Sequence, residues 1–213
     1  GHNGIQEKHV VLSLAQKIKT KLESTKRFKV YLTRNTDHYI KLRERFRRAR
    51  DVGGNLFISL HADKNPVKSV RGASVYTLSE TASDKETARL ARQEDNAGVV
   101  AGVDLAIEED TVANILLDLV RRETLNESKL FAEILVEKMR DKRIRRLNNT
   151  HRYAGFAVLK APDIPSVLIE AGFMSNPDDA KLLQTKQYQE DMAEAIEQSI
   201  HAFFDRIERL EKQ

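Results

Sequence analysis

The sequence has no cysteine. That excludes disulfides, thiolate metal sites and cysteine nucleophiles, and leaves His, Asp and Glu as the strong candidate metal ligands. It has no apolar run approaching the roughly 18 to 20 residues of a membrane span, and no basic-then-apolar signal segment. Nor is there a large excess of charge of one sign. The 36 Lys and Arg against 32 Asp and Glu leave a formal charge of +4, interspersed along the chain and too small to indicate a nucleic-acid partner. No internal repeat or low-complexity linker divides the 213 residues, a length that fits a single domain with a substantial core. The chain opens at Gly1 rather than at methionine, and its first residues already read as a turn into a helix. A front end lying elsewhere, with any targeting signal, is therefore expected.

What is present alternates between two periods. From Gln6 to Glu23, Val11, Leu14, Ala15, Ile18 and Leu22 recur at helical spacing. "FKVYLTR" (28–34) predicts a strand and "YIKLRERFRRAR" (39–50) a helix ending near the glycines of "VGG". "LFISLH" and "GASVYTLS" predict further strands, and residues 82–95 a charged, weakly apolar helix. After a glycine-containing stretch come two helices, "TVANILLDLVRRE" and "SKLFAEILVEKMRDKR". "GFAVLK" and "SVLIEAGF" predict strands, and a last helix carries Met192, Ile196, Ile200, Phe203 and Ile207 on one stripe. Strands alternating with helices predict an α/β fold, a largely parallel or mixed sheet flanked by helices, with residues 79–110 as an inserted helical segment.

Three polar residues stand where they cost energy. His61 ends the "LFISLH" strand; a strand-end histidine is ordinarily a hydrogen-bonded structural residue, and the rest of the chain must decide. Glu170 ends the near-continuous apolar run "SVLIE", where a buried carboxylate needs a cation or several donors. Glu7, four residues before Val11, shares a face with the apolar stripe of its helix. It reads either as an acid favoured by the helix dipole or as a ligand. Ligands of open α/β sheets bind outside the carboxyl ends of the strands, so His61 and Glu170 reach one edge. Oxygen and nitrogen ligands with a spare carboxylate suit zinc.

"GHNGIQEKHVVL", "LTRNTDHYIKLRERFRRA", "NLFISLHAD", "GASVYTLS" and "FAVLKAPDIPSVLIEAGFMSN" occur in the order of the motifs of a known family. From residue 1 to about 205 the chain resembles the zinc-dependent N-acetylmuramoyl-L-alanine amidases of the division type, which trim bacterial peptidoglycan. The resemblance implies that Glu7 and His61 hold zinc and that Glu170 is the catalytic base. The family's first zinc histidine belongs to a glycine-rich motif that would lie ahead of Gly1, with the first strand. The chain therefore reads as a single amidase catalytic domain truncated at its start, supplying two of three protein ligands and binding zinc weakly alone. His2 occupies a position the family does not use for metal, His9 lies off the apolar stripe, and His38, His151 and His201 have no clear pairing with the site.

By the same resemblance the scissile bond joins N-acetylmuramic acid to L-alanine. The partners are then peptidoglycan and an activator protein that displaces the inserted helix, and the location is the bacterial periplasm or cell envelope. Glu94, in "RQEDN", best matches a glutamate that such a helix offers to the open zinc position; it reads equally as one solvated acid among several. The alternative from another class is a non-catalytic cell-wall-binding module of the same fold, against which the retained Glu7, His61 and Glu170 argue. A nucleic-acid binder built on "RERFRRAR" is disfavoured, because its arginines alternate with Glu44 and Phe46 and lack aromatic interleaving.

Overall fold

A computed structural model describes residues 4–99 and 114–212. His2 and residues 100–110 of the inserted segment lie outside the described residues. Helix α1 (Glu7–Ser24) buries Val10, Leu14, Ile18 and Leu22. The buried stripe thus runs through Val10 rather than Val11, which is only partly covered. Helix α2 (Leu42–Asp51) leads into strand β1 (Phe57–His61), and strand β2 (Ala73–Leu78) precedes helix α3 (Lys85–Val99). Helix α4 (Asn114–Asp141) is followed by strand β3 (Arg146–Ala154), a 3-10 turn at Ala157–Leu159 and strand β4 (Ser166–Glu170). Helices α5 (Pro177–Leu182) and α6 (Lys186–Leu210) complete the described elements.

The strands form one mixed sheet in the order β1-β4-β2-β3. β4 runs parallel to β1 and antiparallel to β2, and β3 runs parallel to β2. Helices α1, α4 and α6 cover one face, with Leu14, Ile18, Phe131, Leu135, Ile196 and Phe203 packed on Val75, Val167 and Ile169. The other face, with Phe57, Tyr76 and Leu168, packs on Leu42 of α2, Leu90 and Ala91 of α3, and Phe156 to Leu159. A buried sheet between two helical layers follows from strands that are apolar on both faces, as β4 is throughout. Phe131 is fully buried, its ring edge-on to Phe203 at 5.7 Å. Phe131→Ala should therefore cost about 3–5 kcal/mol, read as a lowered denaturant midpoint at unchanged slope.

Four expectations change. "FKVYLTR" forms no strand; its Val30 and Thr33 carbonyls accept instead from Lys19 Nζ at 2.7 Å and Arg48 at 2.7 Å. "GFAVLK" coils into the 3-10 turn, and the paired strand is the preceding "RLNNTHRYA". The two helices expected between 111 and 143 are one, continuous through "TLNES", where the Ser128 hydroxyl donates back to the Thr124 carbonyl at 2.7 Å. Helix α2 begins at Leu42 and α3 at Lys85, later than their apolar and charged patterns suggest. In the "RERFRRAR" helix, Arg47 and Arg48 bind Glu44, and Arg50 binds Asp163.

Candidate metal centre

Parallel pairing fixes the heart of the site. His61 and Glu170 are register partners at the carboxyl ends of β1 and β4, and the Ala171 N–H donates to the His61 carbonyl at 2.9 Å. Strand alternation puts Ser59 on the same face as His61, and Ser59 Oγ lies 3.1 Å from His61 Nε2. In the neutral ring, with Nε2–H donating to that hydroxyl, Nδ1 would present its lone pair, the arrangement of a metal-ligating imidazole held by an outer partner. Beyond Glu170 the chain turns sharply at Gly172, whose φ of +152° favours glycine. The buried Asp179 carboxylate accepts from the Phe173 N–H at 3.0 Å and the Gly72 N–H at 2.7 Å, and the Tyr188 hydroxyl donates to the Ala171 carbonyl. These bonds hold the turn, and through it Glu170.

Carboxylates converge on His61 Nδ1. Glu7 Oε1, from the first turn of α1, lies 3.2 Å away, close enough for charge attraction though not aligned as a hydrogen bond. Glu94 Oε2, from α3, lies at 3.5 Å, and Asp63 Oδ2, two residues past β1, at 3.9 Å. Glu7 Oε1 also accepts from the Ala62 N–H at 3.0 Å, and Glu170 Oε1 from the Asp63 N–H at 2.7 Å. His61 Nδ1, Asp63 Oδ2 and Glu170 Oε2 are buried without a hydrogen-bond partner. Buried polar atoms are nearly always paired, so the orphaned His61 Nδ1 and Asp63 Oδ2, 3.9 Å apart, mark a place for a ligand.

The titration behaviour agrees. Burial, with the charges of Asp63 and Glu7 added and only the Asp63 N–H opposing, pushes Glu170 well above the usual carboxylate range. Burial also pushes Asp63 up to about 8, against the pull of His61 and with the help of Glu7 and Glu94. For His61, burial opposes charge but is outweighed by the contact with Glu7 and by the charges of Glu94 and Asp63, which hold it up to about 9. Glu7 is lowered, burial being overcome by His61 and the Ala62 N–H. Without a cation this pocket retains protons to offset its carboxylates; a bound divalent cation would displace them. Glu7, His61 and Asp63 each offer a ligand atom, all within 4.8 Å of one another, so the residues fit a metal ion.

All the residues singled out in the sequence meet here: Glu7, His61, Glu94 and Glu170. Asp63 was missed. Its "HADKN" loop reads as ordinary surface, and only its burial reveals it, the residue being 6% exposed. The other described histidines lie apart. His9 is exposed beside Asp37, and His38 contacts Thr36 at 2.9 Å. His151 contacts Thr77 at 3.0 Å, and His201 stacks edge-on with Phe28.

Helix α3 carries Glu94 in on polar fastenings. Arg152 of β3 pairs with Glu86 at 3.3 Å and Asp84 at 3.6 Å, the Asn65 amide donates to Glu86, and Asp95 accepts from the Ala157 N–H at 2.9 Å. Among the described residues no helix is long and apolar enough to cross a membrane.

Residues 1–202 match the family model described as N-acetylmuramoyl-L-alanine amidase. The chain is 35% identical over 207 residues to N-acetylmuramoyl-L-alanine amidase AmiC of Neisseria meningitidis, covering 95% of this chain and 48% of that protein. To AmiA of Salmonella typhimurium it is 36% identical over 206 residues, covering 96% of this chain and 70% of that protein. The chain thus spans about half the length of the AmiC relative it matches. Its fold is that of the CwlD amidase from Clostridioides difficile, solved in complex with the GerS lipoprotein. The TM-score is 0.67 at 21% identity, over 95% of this chain and 88% of that one.

Proposed function

This chain belongs to the N-acetylmuramoyl-L-alanine amidase family, and we propose that it hydrolyses the amide between the lactyl group of N-acetylmuramic acid and L-alanine of the peptidoglycan stem, with zinc held by Glu7 and His61. The observation that supports this most is the set of buried, unpartnered atoms His61 Nδ1, Asp63 Oδ2 and Glu170 Oε2 at one sheet edge. Zinc bound there supplies Lewis acidity, polarising a carbonyl and lowering the pKa of water to about 7.

Glu170 is the general base. The Asp63 N–H holds its Oε1, which leaves Oε2 free to take the proton from the attacking water and return it to the leaving amine. Burial keeps competing water from that carboxylate. Glu94, reaching His61 from α3, occupies the space that substrate needs and makes the described form a self-inhibited one. An activator protein that draws α3 aside would open the site, and the complex of the similarly folded CwlD with a lipoprotein is consistent with protein partners. The substrate places the enzyme in the cell envelope.

The test is release of stem peptides from purified cell wall. A chelator should abolish release and added zinc should restore it. Binding to cell wall without any release, metal-loaded and with α3 opened, would favour the non-catalytic binding module instead.

A further inference from the structure

We infer that the open crevice between the loop after β1 and the first turns of α3 is the subsite for the stem peptide, holding the carboxylate of the acidic residue that follows L-alanine. The inference rests on the amide-hydrolysis reading above and adds to it how the leaving peptide is recognised. The crevice measures about 370 Å³, within the roughly 300–1,000 Å³ of ligand pockets. Asn65, Val67 and Val70 line one wall, and Lys85, Glu86 and Arg89 the other. Asn65 lies two residues past Asp63, so the crevice adjoins the metal centre.

Both walls are held by hydrogen bonds. The Asn65 N–H donates to Ser175 Oγ at 2.9 Å, the Val67 N–H to Asn65 Oδ1 at 2.9 Å, and the Asn176 amide to the Lys68 carbonyl at 2.8 Å. On the opposite wall Asp84 Oδ1 accepts from the Thr87 N–H at 2.8 Å, and the Ser83 N–H donates to the Tyr153 carbonyl at 2.8 Å. With Arg152 on Glu86, these bonds keep the start of α3 in place while its Glu94 end is drawn aside. The Asn65 amide also donates to Glu86 and so ties one wall to the other. Walls held this way lose little freedom when a ligand binds.

The charge of the crevice selects its occupant. Glu86 is already paired with Arg152 at 3.3 Å and with the Asn65 amide. Lys85 and Arg89 have no ion pair among the described residues, Arg89 reaching only the neutral Gln93 at 3.3 Å. Cations without acids, beside the small apolar side chains of Val67 and Val70, suit a peptide that carries a carboxylate and methyl groups. The glycan is a poorer match. Its lactyl carboxyl is consumed in the scissile amide, and none of the described lining residues offers an aromatic face to a sugar ring.

The test compares two forms of one probe, L-alanyl-D-glutamate γ-methylamide with its α-carboxylate free or amidated, titrated into the full-length, zinc-loaded protein and followed by NMR. The free acid should shift the Val67 and Val70 methyl signals and bind about 5- to 10-fold more tightly than the amide, between the effect of an exposed ion pair and that of a buried charge-assisted bond. Lys85→Gln combined with Arg89→Gln, checked by circular dichroism, should erase that preference. In release of stem peptides the same double variant should raise KM by a similar factor with kcat unchanged. If both probes bind alike, or if the double variant keeps either the preference or the KM, the inference falls while the hydrolysis reading stands, and the cations are left to an acidic segment of a protein partner. Acid-selective shifts without any release of peptide from cell wall would support the subsite and overturn the hydrolysis reading in favour of a binding module.

Discussion

Glu170→Gln should leave zinc bound and abolish hydrolysis, with a loss of about 10²–10⁴-fold in kcat on cell wall. Glutamine keeps the shape of the side chain, and its carbonyl can still accept the Asp63 N–H that Glu170 Oε1 accepts now. It cannot accept a proton from water at the position of Oε2, which is buried and otherwise unpartnered. The position is fully buried, so the variant also removes a carboxylate that burial disfavours in its charged form. Stability should therefore hold or rise, which separates a chemical loss from an unfolded one.

His61→Ala offers the contrast: it should lose activity by losing metal, seen as lowered zinc content. On the proposed reading the two variants would separate holding the ion from moving the proton. Glu170→Gln retaining most of its rate at full zinc occupancy would remove Glu170 from the base role.

Much of this site was visible in the sequence because its parts sit at element ends where their cost shows. Glu170 terminates an apolar strand and His61 terminates another, and parallel pairing of β1 with β4 makes them neighbours. Asp63 left no such sign, since a loop acid is unremarkable until the turn after Glu170 folds over it. The fold was legible where one face of an element is apolar, as in α1 and α6, and in β4, apolar on both faces.

β3 was not legible, because "RLNNTHRYA" has no apolar alternation and leaves many of its residues at least partly exposed. An edge strand of this kind is specified by its hydrogen bonds to β2 rather than by burial. "FAVL" misled for the opposite reason. Phe156, Ala157, Val158 and Leu159 are all buried, yet a short apolar run carries no period to distinguish strand from helical turn. "FKVYLTR" has the alternation of a strand but no paired neighbour among the described residues.

Glu94→Ala should raise basal hydrolysis about 5- to 150-fold without lowering zinc content, the range of a coupling of about 1–3 kcal/mol. Glu94 Oε2 stands 3.5 Å from His61 Nδ1 and its side chain is only 14% exposed, so on the proposed reading it would compete with substrate for the position beside His61. A tethered carboxylate competes at high effective concentration, so free substrate is outmatched until the tether moves. Among its described side chains α3 buries the apolar Leu90 and Ala91, and polar contacts run through its Glu86 and Asp95 and through Asp84 just ahead of it. Such a helix opens at a lower cost than one with a wide apolar face.

Asp95→Ala provides an independent arm, because Asp95 holds α3 to the Ala157 N–H and lies outside the set of groups around His61. Loosening the helix there should also raise basal activity, by less than Glu94→Ala, and adding it to Glu94→Ala should give little more. That pattern belongs to a blocking group carried on a docked helix, since removing the block makes further loosening immaterial. Unchanged or reduced activity in both single variants, with circular dichroism and zinc content intact, would reduce Glu94 to a bystander beside His61.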